Sequence, residues 1–163
     1  MYTLREINDD DSTWLQEFIV RHWGDESVVA HGRIFHPAQL PGFVVEDHRG
    51  GKRGLLTYNI DNNECEVVTI NSTVERKGIG TMLMDAVIET ARKLGCRRLW
   101  LITTNDNTSA LRFYQRRGMD IAAIHRNALE RSRQLKPSIP LESRDGIPLR
   151  HELEVDFQLT DGN

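Results

Sequence analysis

The chain has 163 residues, 39% hydrophobic and 28% charged, with a formal net charge of -3. That length and composition suit one globular domain, residues 1–163, with a sizeable core. The small negative balance excludes a general attraction to nucleic acid or an anionic membrane, and no apolar run has bilayer-spanning length.

The first residues, Met1-Tyr2-Thr3-Leu4-Arg5-Glu6-Ile7, turn acidic at once and do not read as a signal peptide. Cys65 and Cys96 have neither metal-ligand nor redox spacing. They read as core thiols in a reducing cytoplasm, with no metal expected.

Residues 2–7 alternate as an edge strand, and Asp9-Asp10-Asp11-Ser12 supplies capping groups. Trp14, Leu15, Phe18 and Ile19 mark one helix face, which ends near Gly24. Residues 26–40 read as a partly irregular lid or short helix. Strands are expected at 42–47, 53–60 and 64–70, separated by the turns His48-Arg49-Gly50-Gly51 and Asp61-Asn62-Asn63. Leu83, Val87, Ala91 and Leu94 recur at helical spacing over residues 81–94, and Gly95 suits the left-handed residue that stops a helix. Residues 97–104 are apolar on both faces, as in a strand of a parallel pair buried on two sides. Residues 64–104 therefore read as a β-α-β unit. A helix over 109–117, a strand over 119–124, a long excursion over 127–148 with a short helix at 129–135, and a last strand over 151–159 complete the chain.

The strand before Glu75-Arg76-Lys77-Gly78-Ile79-Gly80 feeds a glycine turn and then a helix. The first N–H groups of such a helix lack internal partners, and its dipole makes that end positive. Gly78 and Gly80 have no Cβ, so a phosphate can approach the backbone; Arg76 and Lys77 add charge. A Walker A loop requires Gly-Lys-Ser/Thr, but Thr81 follows Gly80 directly. A dinucleotide fingerprint requires a third glycine where Leu83 stands. One helix and one strand later comes Asn107-Thr108-Ser109-Ala110-Leu111-Arg112-Phe113-Tyr114-Gln115-Arg116-Arg117-Gly118-Met119.

These two stretches resemble the signatures of the GNAT superfamily of N-acetyltransferases. The first resembles its coenzyme A loop, Gln/Arg-x-x-Gly-x-Gly/Ala, with Glu75 in the Gln/Arg place. The second resembles Asn-x-x-Ala-x-x-Phe/Leu-Tyr-x-x-x-Gly-Phe, with Met119 for the last Phe. The resemblance implies an α+β (mixed α/β) fold. It has a mixed, mostly antiparallel sheet of six to seven strands, flanked by helices, with a splayed central parallel pair. It also implies acetyl-CoA as acyl donor, its pyrophosphate on Glu75, Arg76, Lys77, Gly78, Ile79, Gly80 and Thr81. The pantetheine arm would pair with Val68, Thr69 and Ile70, and Asn107, Ala110, Phe113 and Tyr114 would line the cofactor.

The implied chemistry is direct attack of an amine on the thioester, with Tyr114 protonating the departing thiolate. Glu64 and Glu66 are the candidate bases; alternation puts both on one strand face with Val68 and Ile70. Glu66 is preferred as nearer the thioester, with a water wire or a Tyr58 relay as the fallback. His31, Arg33, His36, Tyr58, His125 and Arg126 are the polar candidates for the acceptor site, which Trp23 and the 127–148 excursion should help to wall. No carboxylate-rich acceptor patch is evident, so a polycation is not favoured. The acceptor reads as a small-molecule or peptide amine, and the protein as a monomer or homodimer. The competing reading is a non-catalytic acyl-CoA-binding or sensing module. A nucleotide-binding domain is disfavoured by the missing glycine and lysine positions.

Overall fold

Val44, Val45, Leu55 and Leu56 bury both faces of the sheet, and a helix covers each side. The computed structural model describes residues 1–75 and 77–159. The chain runs β1 (Tyr2–Glu6), α1 (Ser12–Trp23), β2 (Val28–Ala30), β3 (Arg33–Phe35), β4 (Gly42–Asp47), β5 (Lys52–Asp61), β6 (Glu64–Ser72), α2 (Ile79–Lys93), β7 (Arg98–Thr104), α3 (Thr108–Arg116), β8 (Asp120–His125), α4 (Ala128–Leu135) and β9 (Glu152–Gln158). Seven strands form one sheet in the order β1-β4-β5-β6-β7-β9-β8. Among the described residues only β6 and β7 pair in parallel; the other neighbours in this sheet are antiparallel. The mixed, mostly antiparallel sheet with one central parallel pair is the fold expected.

On one face, Ile79, Leu83, Met84, Val87 and Ala91 of α2 bury against Val45, Leu56, Val67, Leu101 and Val155. On the other, Leu15, Phe18 and Ile19 of α1 cover Val44 and Leu55. Both cysteines are free and buried. Gly54 lets α2 approach β5: a Cβ there would lie 2.4 Å from Cγ2 of Ile79 and 3.3 Å from Cδ1 of Leu83. Gly54→Ala should therefore destabilise the fold by about 1–3 kcal/mol through overpacking. Urea unfolding measures it; an unchanged midpoint would contradict this packing.

Three local expectations are corrected. Residues 26–40 hold a hairpin of β2 and β3, with Val28 opposite Phe35 and Ala30 opposite Arg33. Its two-residue loop, His31-Gly32, has φ of 43° and 76°, the doubly positive pattern of the tightest hairpin turns. Second, β7 is not buried on two faces: Leu99, Leu101 and Thr103 are buried, whereas Trp100 and Ile102 are only partly so. Third, Thr57 pairs with Thr69 but Tyr58 with Val67, which leaves Val68 as an extra residue in β6. Such a bulge resets the alternation. Ile70 thus joins Val67 on the α2 side, while Thr69 takes the Glu66 side with its hydroxyl 2.7 Å from that of Thr57.

Candidate active site

Among the described residues, the β6–β7 ladder runs from Glu64–Arg98 to Val67–Leu101 and no further, although β6 continues to Ser72 and β7 to Thr104. Each strand keeps its outer partner, so the two diverge and leave main-chain edges unpaired. A cleft of about 300 Å³ opens there. Val68, Thr69 and Ile70 line one wall and Ile102 and Thr103 the other; Asn107 and Tyr114 also border it. Trp23 and β2 cover it from the α1 side, with Lys136 and Ile139 of the 127–148 excursion. Lys136 is buried and ties these covers together, its Nζ donating to the carbonyls of Trp23 and Ser27, each at 2.7 Å.

At the C-terminal end of β6 a second groove is lined by Glu75, Lys77, Gly78, Ile79, Gly80, Thr81 and Phe113. Gly78 precedes α2 with φ of 76° and offers no side-chain cap, so the first N–H groups of α2 remain available to a ligand. Arg76 lies outside the described residues. Ser109, Arg112 and Arg116 on α3 also line the groove. Sequence reading missed these arginines; their helical spacing beside Phe113 was the available signal. Ala110 borders neither space. It packs against the main core and donates its N–H to Asn107 Oδ1 at 3.4 Å.

Tyr114 is buried, and burial alone pushes its phenol up to about 12, so the hydroxyl stays protonated at neutral pH. Glu66 is buried on the opposite sheet face, opposite Trp100 in the parallel ladder. Its two carboxylate oxygens lie 3.0 and 2.9 Å from His31 Nε2. That hydrogen bond raises the His31 pKa above its usual value, while burial opposes the shift. Glu64 is engaged elsewhere, with Arg97 at 2.6 Å and Arg98 at 3.6 Å.

A pocket of about 200 Å³ beside Glu66 gathers His31, Arg33, Asn59, Glu64, Arg97 and Trp100. Arg33 stacks over Phe35 at 4.7 Å and lies 3.8 Å from Asp61. The other acceptor candidates are not brought together here. Tyr58 stacks on Phe43 and packs into the α2-side core, away from Glu66, because the bulge gives it Val67 as partner. His125 pairs with Glu154 at 3.0 Å, and His36 and Arg126 are exposed. Carboxylates are more numerous near the site than the sequence indicated. β9 brings Glu152, Glu154 and Asp156 onto the Trp100 face, where Arg98 binds the latter two.

A cleft bordered by the Tyr114 phenol thus opens where the parallel pair parts, and the Glu66 carboxylate sits one residue before the last paired rung on the other sheet face. The acetyltransferase (GNAT) family profile matches residues 2–119. The chain belongs to the GNAT acetyltransferase family. Its relatives include the uncharacterised Bacillus subtilis proteins YdhI and YxbD. YdhI is 42% identical over 139 residues, 85% of this chain and 87% of YdhI. YxbD is 38% identical over 136 residues, 83% of this chain and 86% of YxbD. A Bacillus subtilis acetyltransferase crystallised with CoA shares the fold, with a TM-score of 0.67 and 20% identity over 98% of each chain.

In this GNAT chain the residues fit a coenzyme A thioester: a Cβ-free approach at Gly78, free helix N–H groups, arginines on α3, and an unpaired strand edge for an extended arm. Among the described residues, no group of three or more His, Cys, Asp or Glu is placed to hold a metal. No helix there is long and apolar enough to cross a membrane.

Proposed function

We propose that this GNAT protein is an acetyl-CoA-dependent N-acetyltransferase, acting by direct attack of a small-molecule or peptide amine. The observation that carries this reading is the splay beyond Val67 and Leu101, with an anion groove at one end and Tyr114 and Glu66 beside it. Bound acetyl-CoA would supply an activated acyl group on a thiol leaving group. The N–H groups at the start of α2, with Lys77, Arg112 and Arg116, would hold its phosphates. Val68, Thr69 and Ile70 would align the extended arm as an added strand.

The pocket beside Trp100 would admit the acceptor. Glu66 would take a proton from the amine so that a neutral nitrogen attacks. Main-chain N–H groups near the Val68 bulge, beyond the end of the parallel ladder, would stabilise charge growing on the carbonyl oxygen. Tyr114 Oη would protonate the sulfur as it leaves, a role suited to a phenol kept neutral by burial. We read residues 1–163 as one cytoplasmic domain, monomeric or homodimeric through an open sheet edge, which light scattering at micromolar protein distinguishes.

Calorimetric titration with acetyl-CoA, ATP and NAD tests the cofactor, and thiol release across a panel of primary amines tests the reaction. Acetyl-CoA should bind and at least one amine should turn over. Micromolar ATP binding without acetyl-CoA binding would defeat the reading; acetyl-CoA binding without turnover would favour a sensing module. The groove gives a sharper check. A Cβ on Gly80 would lie 3.2 and 3.4 Å from carbons of the Phe113 ring. Gly80→Val should push that ring into the groove and weaken acetyl-CoA binding at least about tenfold, or 1.4 kcal/mol. Native affinity in this variant would remove the loop from the site.

A further inference from the structure

The turn of the β2–β3 hairpin is held in an unusual way. His31 has φ of 43°, a conformation uncommon for a residue with a side chain. Two carboxylates from distant strands oppose that cost. The buried carboxylate of Glu152 on β9 accepts the His31 backbone N–H at 3.1 Å. Glu66 on β6 accepts the ring, which also lies 5.1 Å from the Trp100 ring. A carboxylate can only accept, so Nε2 carries the proton whichever charge the ring has; Nδ1 is the nitrogen that titrates. The Glu66 side chain is 5% exposed and that of His31 is 28% exposed, so the ring is the member of the pair that meets solvent.

We infer that His31 is a positioning residue for Glu66: its Nε2–H fixes the carboxylate beside the strand splay, and its charge decides when that carboxylate can take a proton. This rests on the proposed role of Glu66 in acetyl transfer. While the ring is an imidazolium, its charge holds the Glu66 carboxylate in the ionised form and opposes transfer of a proton from the acceptor nitrogen to a Glu66 oxygen. Once Nδ1 loses its proton to water, the hydrogen bond remains and the opposing charge is gone. Glu66 and Glu152 favour the charged ring, and Arg33 on the same hairpin opposes it. Arg98 stacks over Trp100 at 5.4 Å, but Glu154 and Asp156 engage it. The pocket beside the tip also holds Glu64, which Arg97 and Arg98 engage, and Asp61, which lies 3.8 Å from Arg33; Phe35 and Trp100 carry no charge.

The test uses acetyl-CoA with water as acceptor, since water has no titration of its own between pH 5 and 9 to blur the profile. Native protein should release thiol more slowly on the acid side of a single step that lies above 6.5, the ordinary histidine value. Asn tolerates left-handed backbone but cannot reach Glu66. His31→Asn should keep the hairpin yet lose at least about tenfold in rate at every pH, the size of a displaced general base. His31→Gln keeps a donor and has no charge to lose, so its rate should stay on the plateau where the native rate has fallen.

Ring resonances of His31 followed by NMR give a reading independent of turnover. Their transition should lie above 6.5 in native protein and in Glu64→Gln, and drop in Glu66→Gln. A His31→Gln profile that superposes on the native one, or a His31 transition unmoved by Glu66→Gln, overturns the inference. Glu66→Gln hydrolysing at the native rate would instead overturn the role of Glu66, and the inference with it. A slow Glu66→Gln beside a native-like His31→Gln sinks only the role of His31.

Discussion

Tyr114→Phe is expected to lower turnover about 100-fold, the usual contribution of one positioned acid, while leaving acetyl-CoA affinity nearly intact. The variant removes one oxygen and keeps a ring that belongs to the main core between α2 and the sheet. Stability should change little, so the loss reports chemistry. The pH dependence adds a second check. Burial pushes the native phenol up to about 12, so the acid form persists across the neutral and mildly alkaline range. Ionisation of Tyr114 should therefore cause no fall in native activity below about pH 10, well under that value. Steady-state rates with a fixed amine decide it. Turnover equal to native at several pH values would leave the thiolate without an acid from this residue.

Glu66→Gln is the second large effect. The substitution keeps the shape and removes the charge, and turnover should fall by about two orders of magnitude. Glu64→Gln should stay near the native rate, because Arg97 and Arg98 hold that carboxylate at the beginning of β6. Equal losses in the two variants would mean that a field over the whole face matters more than one base. Stability carries its own pH signature. His31 has a raised folded-state pKa through its bond to Glu66, so the pair stabilises the fold fully below the unfolded histidine value. That contribution disappears as pH rises through the higher folded value. Glu66→Gln should hence cost more stability at pH 6 than at pH 9, as read from urea midpoints.

How much of this could be read from the residues alone depended on where each signal lay. Gly78, Gly80 and the helical spacing of Leu83, Val87 and Ala91 are contiguous, and they placed α2 correctly. Asn107 to Met119 did the same for α3, with Gly118 at φ of 92° just beyond it. The β2–β3 hairpin was hidden because each strand has three residues and its turn is His-Gly rather than Asn-Gly. The phase of β6 was hidden because an apolar run such as Val67-Val68 gives no sign of which residue bulges. Once Val68 drops out of the alternation, Ile70 and Glu66 part company, and Tyr58 is carried to the wrong face for a relay. Glu152 and Trp100 escaped notice for another reason: only pairing between strands far apart in sequence brings them to His31.

The strand order has a consequence for how the molecule is made. β9 is the last of the seven strands to leave the ribosome, yet it lies between β7 and β8. Until it arrives, β7 presents a bare hydrogen-bonding edge, and β8 has no place to dock. The nascent sheet must wait for a segment some fifty residues downstream of β7. Long-range closure of this kind slows folding and prolongs exposure to wrong partners. The same late strand delivers Glu152 to the His31 backbone, so completion of the sheet and anchoring of the hairpin tip are a single event.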